Sequence, residues 1–376
     1  MDVHLMRWLG IGMLLLAAGC GGQATPPPLP VGHVATLSGA AKDEGEQASR
    51  GMRLAVQEQN KAAAADNSRP VIVRHTDTGG KLEAFEAEAV RLVKVNGALA
   101  LLGGTTAEEI MRLDRAQVPL VSPFGMRQRG QSELVFLTGL SPAFEGQVLA
   151  QFAGEQWGPV KVVILADERR EESLALADAF ARAFPKAGKD AKARLPRPLI
   201  WRYGKDKDPL PELSKRLKAE KPDAILVAGA SADLLKIRKD FPAPATVLYA
   251  GDHPGKALLD SPDSDGVYLA TGFVSDADVP LAKEFVANYR KAFSEDPDAS
   301  AALAYDGARL LFEALKKSQP QLAADKIAKE LAALKDFPGL TGPLIFTEDR
   351  QLRRPAFLVR VAKSRLQTLK RFSPPE

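Results

Sequence analysis

Ala98-Leu99-Ala100-Leu101-Leu102-Gly103-Gly104-Thr105-Thr106, followed some dozen residues later by Pro119-Leu120-Val121-Ser122-Pro123, is the passage that decides the fold. Residues 98–102 form a short apolar run without polar alternation, as in a strand buried on both faces. Two glycines break the run, two threonines follow, and a helix is predicted over about residues 107–116. A second short strand then ends at a proline. Strand, loop, helix and strand in this order are the grammar of a parallel sheet covered by helices on both sides.

The same grammar extends in both directions. Upstream, residues 31–37 are strand-like, and Ala48, Met52, Ala55 and Val56 share one helical face. Val71-Ile72-Val73 is a β-branched strand core, and Leu82, Phe85, Ala89, Leu92 and Val93 mark a second amphipathic helix. Downstream the pattern restarts with a strand over 160–166 and a helix carrying Leu176, Phe180 and Phe184. Strands over 223–228 and 246–250 flank a helix at 234–239, and 266–273 is strand-like and crosses between halves. Helices over 281–293, 301–317 and 325–334 precede strands at 343–346 and 357–361. The result is two α/β units of similar build.

The amino terminus carries a different signal. Cys20 is the only cysteine and follows an apolar run from Trp8 to Ala18, with Arg7 ahead of it. That run is shorter than the roughly 20 apolar residues of a membrane span and has the length of a secretory signal. Its end, Leu16-Ala17-Ala18-Gly19-Cys20, resembles a bacterial lipoprotein signal, which implies removal of residues 1–19 and lipid attachment at Cys20. Residues 20–30, rich in Gly and Pro, read as a tether, so the folded part is expected from about Val31. An exported, membrane-anchored lipoprotein, in the periplasm or on the cell surface, is the expectation.

Composition excludes several classes. With 51 basic and 47 acidic residues the net charge is only +4, so no basic stripe for nucleic acid is indicated. Removal of residues 1–19 takes away Asp2 and Arg7 and leaves the charge unchanged. Neither Gly-x-x-x-x-Gly-Lys-Ser/Thr nor Gly-x-Gly-x-x-Gly occurs, and no Gly-x-Ser-x-Gly elbow is present. His33, His75 and His253 lie far apart, without metal-ligand spacing. The chain is therefore expected to be no enzyme and to need no cofactor or metal. What remains is a set of loops at the carboxyl ends of strands, where open α/β sheets bind ligands. Thr105 and Thr106, ahead of a helix, either seat a carboxylate or cap that helix.

Across residues 31–362 the chain resembles the substrate-binding lipoproteins of branched-chain amino-acid-type ABC transporters, of the leucine/isoleucine/valine-binding kind. The matching stretches, in order, are Leu37-Ser38-Gly39 with Gly45 and Gly51, then Leu102-Gly103-Gly104-Thr105-Thr106, then Val118-Pro119-Leu120-Val121-Ser122-Pro123. Ala304-Tyr305-Asp306-Gly307-Ala308 and Gly339-Leu340-Thr341-Gly342-Pro343-Leu344-Ile345-Phe346 complete them. The resemblance implies the type I periplasmic-binding-protein fold: two Rossmann-like lobes with parallel-rich sheets joined by three crossovers. These are expected near 138–141, 270–274 and 339–343, giving one lobe of 31–139 plus 273–339 and another of 140–272 plus 340–376.

In such proteins the first lobe seats a ligand carboxylate, which implies Thr105, Thr106, Gly125 and Met126 here, with Ser38 and Ser122 in neighbouring loops. Asp252 of the second lobe is implied as the acid for a ligand ammonium. Where aromatics often enclose the ligand, the chain has Glu44, Glu171, and Ala230 or Ser231. Acids at a lobe interface favour cations, so the expected ligand is an amino-acid-like or amide-like solute more polar than leucine. Arg127, Arg129, Arg169 and Arg170 either solvate loops or support an anion. The implied partners are that small ligand, an ABC permease and, through Cys20, a membrane, with the protein itself a monomer. The alternative is a lipoprotein sensor or scaffold of the same fold whose degraded pocket binds a protein partner.

Overall fold

Strand β1 (Leu29–Ala35) is buried at every position except Pro30, because it runs through the middle of a sheet with helices on both faces. A computed structural model describes residues 26–39, 42–189, 194–204, 209–241, 246–251 and 255–374; Cys20 and Asp252 lie outside these. β1 begins two residues before the expected Val31, since Leu29 is itself a core residue, 2% exposed. It is followed by α1 (Lys42–Asp66), β2 (Val71–Asp77), α2 (Leu82–Lys94), β3 (Leu101–Gly103), α3 (Ala107–Leu113), β4 (Leu120–Ser122) and β5 (Val135–Leu137). These strands form one sheet in the order β2-β1-β3-β4-β5, parallel throughout.

A second sheet grows from the next part of the chain. It comprises α4 (Pro142–Trp157), β6 (Val162–Asp167), α5 (Glu171–Ala183), β7 (Leu199–Tyr203), α6 (Leu210–Glu220), β8 (Ala224–Gly229), α7 (Ser231–Asp240), β9 (Thr246–Gly251), α8 (Lys256–Leu259) and β10 (Tyr268–Thr271). The chain then returns to the first lobe as α9 (Pro280–Phe293), α10 (Ala299–Ser318) and α11 (Ala324–Ala332), followed by the small antiparallel sheet of β11 (Phe337–Gly339), β12 (Gly342–Phe346) and β13 (Leu352–Arg353). Finally β14 (Ala356–Ala362) and β15 (Arg365–Phe372) complete a seven-stranded sheet, β15-β14-β10-β9-β8-β6-β7. Only β14 runs against the other strands, pairing antiparallel with both β10 and β15. The fold is thus the expected two-lobed α/β architecture with parallel-rich sheets and crossover connections.

The first crossing, residues 138–141, links β5 to α4, and the second, residues 272–279, links β10 to α9. Residues 337–346 form an antiparallel β11–β12 hairpin, and Phe346 packs edge-on against Phe136 of β5 with ring centroids 5.1 Å apart. This hairpin stays on the first lobe, and the chain passes over at Arg354 and Pro355, between β13 and β14. The Gly-Leu-Thr-Gly turn looks like a crossover in sequence because a tight hairpin and a tight crossing need the same residues.

The returning helices complete the first lobe. α10 is buried over sixteen of its 20 residues because α1, α11 and the sheet pack around it. Gly51 makes the α1 contact possible: a Cβ there would lie 2.0 Å from the Ala301 carbonyl oxygen. Eight elements had no counterpart in the sequence reading: β5, α4, β7, α6, α8, β11, β13 and β15. In β15 the burial pattern is mostly exposed, and its basic side chains suit an edge strand that must not pair further.

Candidate functional site

Between the lobes, at the carboxyl ends of strands from both sheets, lies a cavity of about 290 Å³. Its first-lobe wall comes from Glu44, from Thr105, Thr106 and Glu109 after β3, and from Pro123, Phe124 and Gly125 after β4. Glu145 of α4, Arg170, Glu172, Ser173 and Leu176 after β6, and Ala250 and Gly251 of β9 face them. Leu140 and Gly272, from the first two crossings, close the back.

Local chemistry fixes the first-lobe loops. Gly103 has φ +129°, and a Cβ would sit 2.0 Å from the Val34 carbonyl oxygen, so only glycine lets β3 turn toward the cleft. Ser122 Oγ donates to the Gly104 carbonyl at 2.6 Å and accepts from Phe124 N at 3.1 Å, tying the two loops together. Thr106 caps α3 in a full capping box. Its Oγ1 accepts from Glu109 N at 3.3 Å, while Glu109 Oε2 accepts from Thr105 N at 2.8 Å, Thr106 N at 3.3 Å and Thr105 Oγ1 at 3.2 Å. The amides and hydroxyl implied as a seat for a ligand carboxylate therefore already hold a carboxylate, that of Glu109. Burial nevertheless pushes the Glu109 carboxyl above its usual range, against these hydrogen bonds.

The second-lobe wall is also acidic. Glu145 is 9% exposed. Burial pushes its carboxyl up to about 8, against a hydrogen bond from the Gly251 backbone, so at neutral pH it is largely protonated. Arg170 Nε donates to Glu172 at 2.9 Å. Ser173, 3% exposed, has an Oγ without a hydrogen-bond partner among the described residues. An orphaned buried hydroxyl costs about 1–3 kcal/mol, and Ser173 lies in the cavity wall.

The residues expected at the site divide into three groups. Glu44, Thr105, Thr106 and Gly125 line the cavity. Ser122 is fully buried behind it in its loop-tying role, Met126 packs into the first-lobe core, and Ser38 is exposed and bonded to Asp77. Glu171 points to solvent, and its neighbour Glu172 takes the cleft position; a one-residue shift at the start of α5 turns the chain by about 100°. Arg127 donates to backbone carbonyls of Val135, Gln131 and Ser132, Arg169 clasps Asp167 at 2.8 and 2.9 Å, and Arg129 is exposed. Sequence reasoning missed Glu109, Glu145 and Ser173. The Thr106-x-x-Glu109 spacing is a legible capping-box signature, whereas nothing near Glu145 or Ser173 announces burial at a cleft.

No three His, Cys, Asp or Glu side chains converge as a metal centre among the described residues. Two lobes flanking a cavity of small-molecule size have the architecture of a cleft-type binding protein. The chain belongs to the periplasmic binding protein family, whose model matches residues 28–365. Among solved structures it is similar to a leucine binding protein, LivK, from Thermotoga maritima (20% identity, TM-score 0.78, 92% of this chain and 99% of that one). It is also similar to the branched-chain amino acid transporter substrate binding protein LivJ from Streptococcus pneumoniae in complex with isoleucine (23% identity, TM-score 0.75, 92% and 100%). A third is a solute binding protein of an ABC transporter from R. palustris in complex with 4-hydroxybenzoate (18% identity, TM-score 0.78, 93% and 98%). Among curated protein sequences none matches the chain.

Proposed function

We propose that this is the extracytoplasmic solute-binding protein of an ABC transporter, tethered to a membrane through a lipid on Cys20. It captures a small amino-acid-like or amide-like polar solute between its lobes and delivers it to a permease. The observation that carries the reading is the cavity itself, walled by both lobes at strand carboxyl ends and backed by two of the three crossings. Hinge closure about those crossings buries a ligand between facing walls. Solved structures of the same fold hold isoleucine and 4-hydroxybenzoate, so the architecture accommodates chemically different small molecules.

Thermal unfolding of the purified protein against amino acids, amides, amines and organic acids tests this. A ligand that binds only the folded state stabilises it by about 2.7 kcal/mol at 100 times its Kd. A dose-dependent rise in Tm for one chemical class supports solute capture. A flat response across the panel rejects it in favour of a scaffold that binds a protein partner. Labelling with a radioactive fatty acid, lost in Cys20→Ser, tests the anchor.

A further inference from the structure

We propose that the solute is a small protonated amine without a carboxylate, and that Glu109 stands where the carboxylate of an amino acid would otherwise lie. The inference rests on the solute-binding reading above and replaces its amino-acid-like or amide-like solute with a simple amine. Glu109 Oε2 takes the Thr105 and Thr106 amides together with the Thr105 hydroxyl. The other oxygen, Oε1, makes no hydrogen bond among the described residues, although Glu109 lines the cavity. An arriving carboxylate must evict this group and then share the cleft with it, and like charges at close range in a partly dry site repel strongly.

A cation meets the opposite situation. Glu44 lines the same cavity beside Glu109, and Arg170 on its wall is bonded to Glu172. Ser173 is an independent observation: a hydroxyl on a 3% exposed residue in the cavity wall, without a hydrogen-bond partner among the described residues. That oxygen and Glu109 Oε1 can each accept from an N–H donor. An ammonium has donors for both and no acceptor that would need the occupied amides.

The test compares amines with the amino acids from which they differ only by a carboxylate: cadaverine with lysine, and agmatine with arginine, titrated calorimetrically into the full chain. The expected result is that each amine binds at least about tenfold more tightly than its amino acid, the scale of one charge-assisted contact. Glu109→Gln keeps an acceptor for the helix cap and removes the charge, so amine affinity falls about tenfold. Glu109→Ala vacates the amides, and the preference moves back toward the amino acid; circular dichroism and melting establish that both variants fold. The wild-type comparison needs no variant. Amino acids binding as tightly as the amines overturn the proposal. So does failure of both members of each pair while another class on the wider panel binds, and that outcome leaves solute capture standing. Only a flat response to the whole panel rejects both.

Discussion

Arg354 Nη2 lies 3.5 Å from Asp306 Oδ2, with each side chain only 1% exposed, at the point where the three interlobe crossings meet α10. Arg354 is itself the third crossing. It packs on the second, where a Cβ at Gly272 would be 3.3 Å from Arg354 Cδ, and Gly307, beside Asp306, faces Thr138 of the first. Asp306 also accepts from Leu340 N at 3.2 Å, which anchors the β11–β12 hairpin. Burial raises the Asp306 carboxyl and lowers the Arg354 guanidinium, and each is opposed by the charge of the other.

Removing one partner leaves the other charge buried and uncompensated. Asp306→Asn is therefore expected to cost about 3–5 kcal/mol, and an Asp306→Leu, Arg354→Met double variant clearly less. Denaturant unfolding of each single variant and of the double variant decides; a double-variant loss equal to the sum of the single losses would mean that the pair is not coupled.

At Gly51 the constraint is steric. With the Ala301 carbonyl oxygen 2.0 Å from a Cβ, Gly51→Ala must push α1 off α10 and is expected to destabilise by about 1–3 kcal/mol. An unchanged Tm would show that the two helices have slack.

His33 and His75 share a short Nδ1···Nδ1 contact of 2.8 Å in the first lobe, which requires one ring to donate and the other to stay neutral. Burial, aided by the charge of His75, holds His33 well below 6.5; burial, aided by Arg53, lowers His75. Since the folded values lie below the unfolded one, this contribution is present above about pH 6.5 and is lost as pH falls through the folded values. His75→Gln is expected to lessen the loss of stability between pH 7.5 and 5.5, read from unfolding at both values.

Glu145 has the opposite sign. Its folded carboxyl titrates at about 8 against an ordinary 4.5, so its contribution is present below pH 4.5 and is lost as pH rises through 8. Glu145→Gln is expected to match the wild type at pH 5 and to exceed its stability at pH 8.5. Equal stability curves across that window would place the Glu145 carboxylate in contact with water.

Ser173→Ala removes an unpartnered hydroxyl. The ligand-free protein is expected to gain up to about 1 kcal/mol of stability, while affinity for the solute falls. A loss of stability would mean that the hydroxyl is satisfied within the protein.

The sequence by itself determined the two α/β units, the strands flanking Gly103-Gly104-Thr105-Thr106 and the family resemblance, because these rest on local signals. An apolar run such as residues 98–102 is buried in any parallel sheet, and a glycine pair followed by threonines opens a helix in any context. Glu44, Thr105, Thr106 and Gly125 were legible as cleft residues for the same reason: they lie at strand carboxyl ends. Only the tertiary structure decided that Glu109 fills the amide seat, that Glu172 rather than Glu171 meets the cleft, and that Glu145 and Ser173 lie buried across from it. It likewise brought Arg354 against Asp306, 48 residues away. Such facts depend on which helix face turns inward and which distant chains meet, and burial of a charge is a property of the packed neighbours that no local stretch of sequence contains.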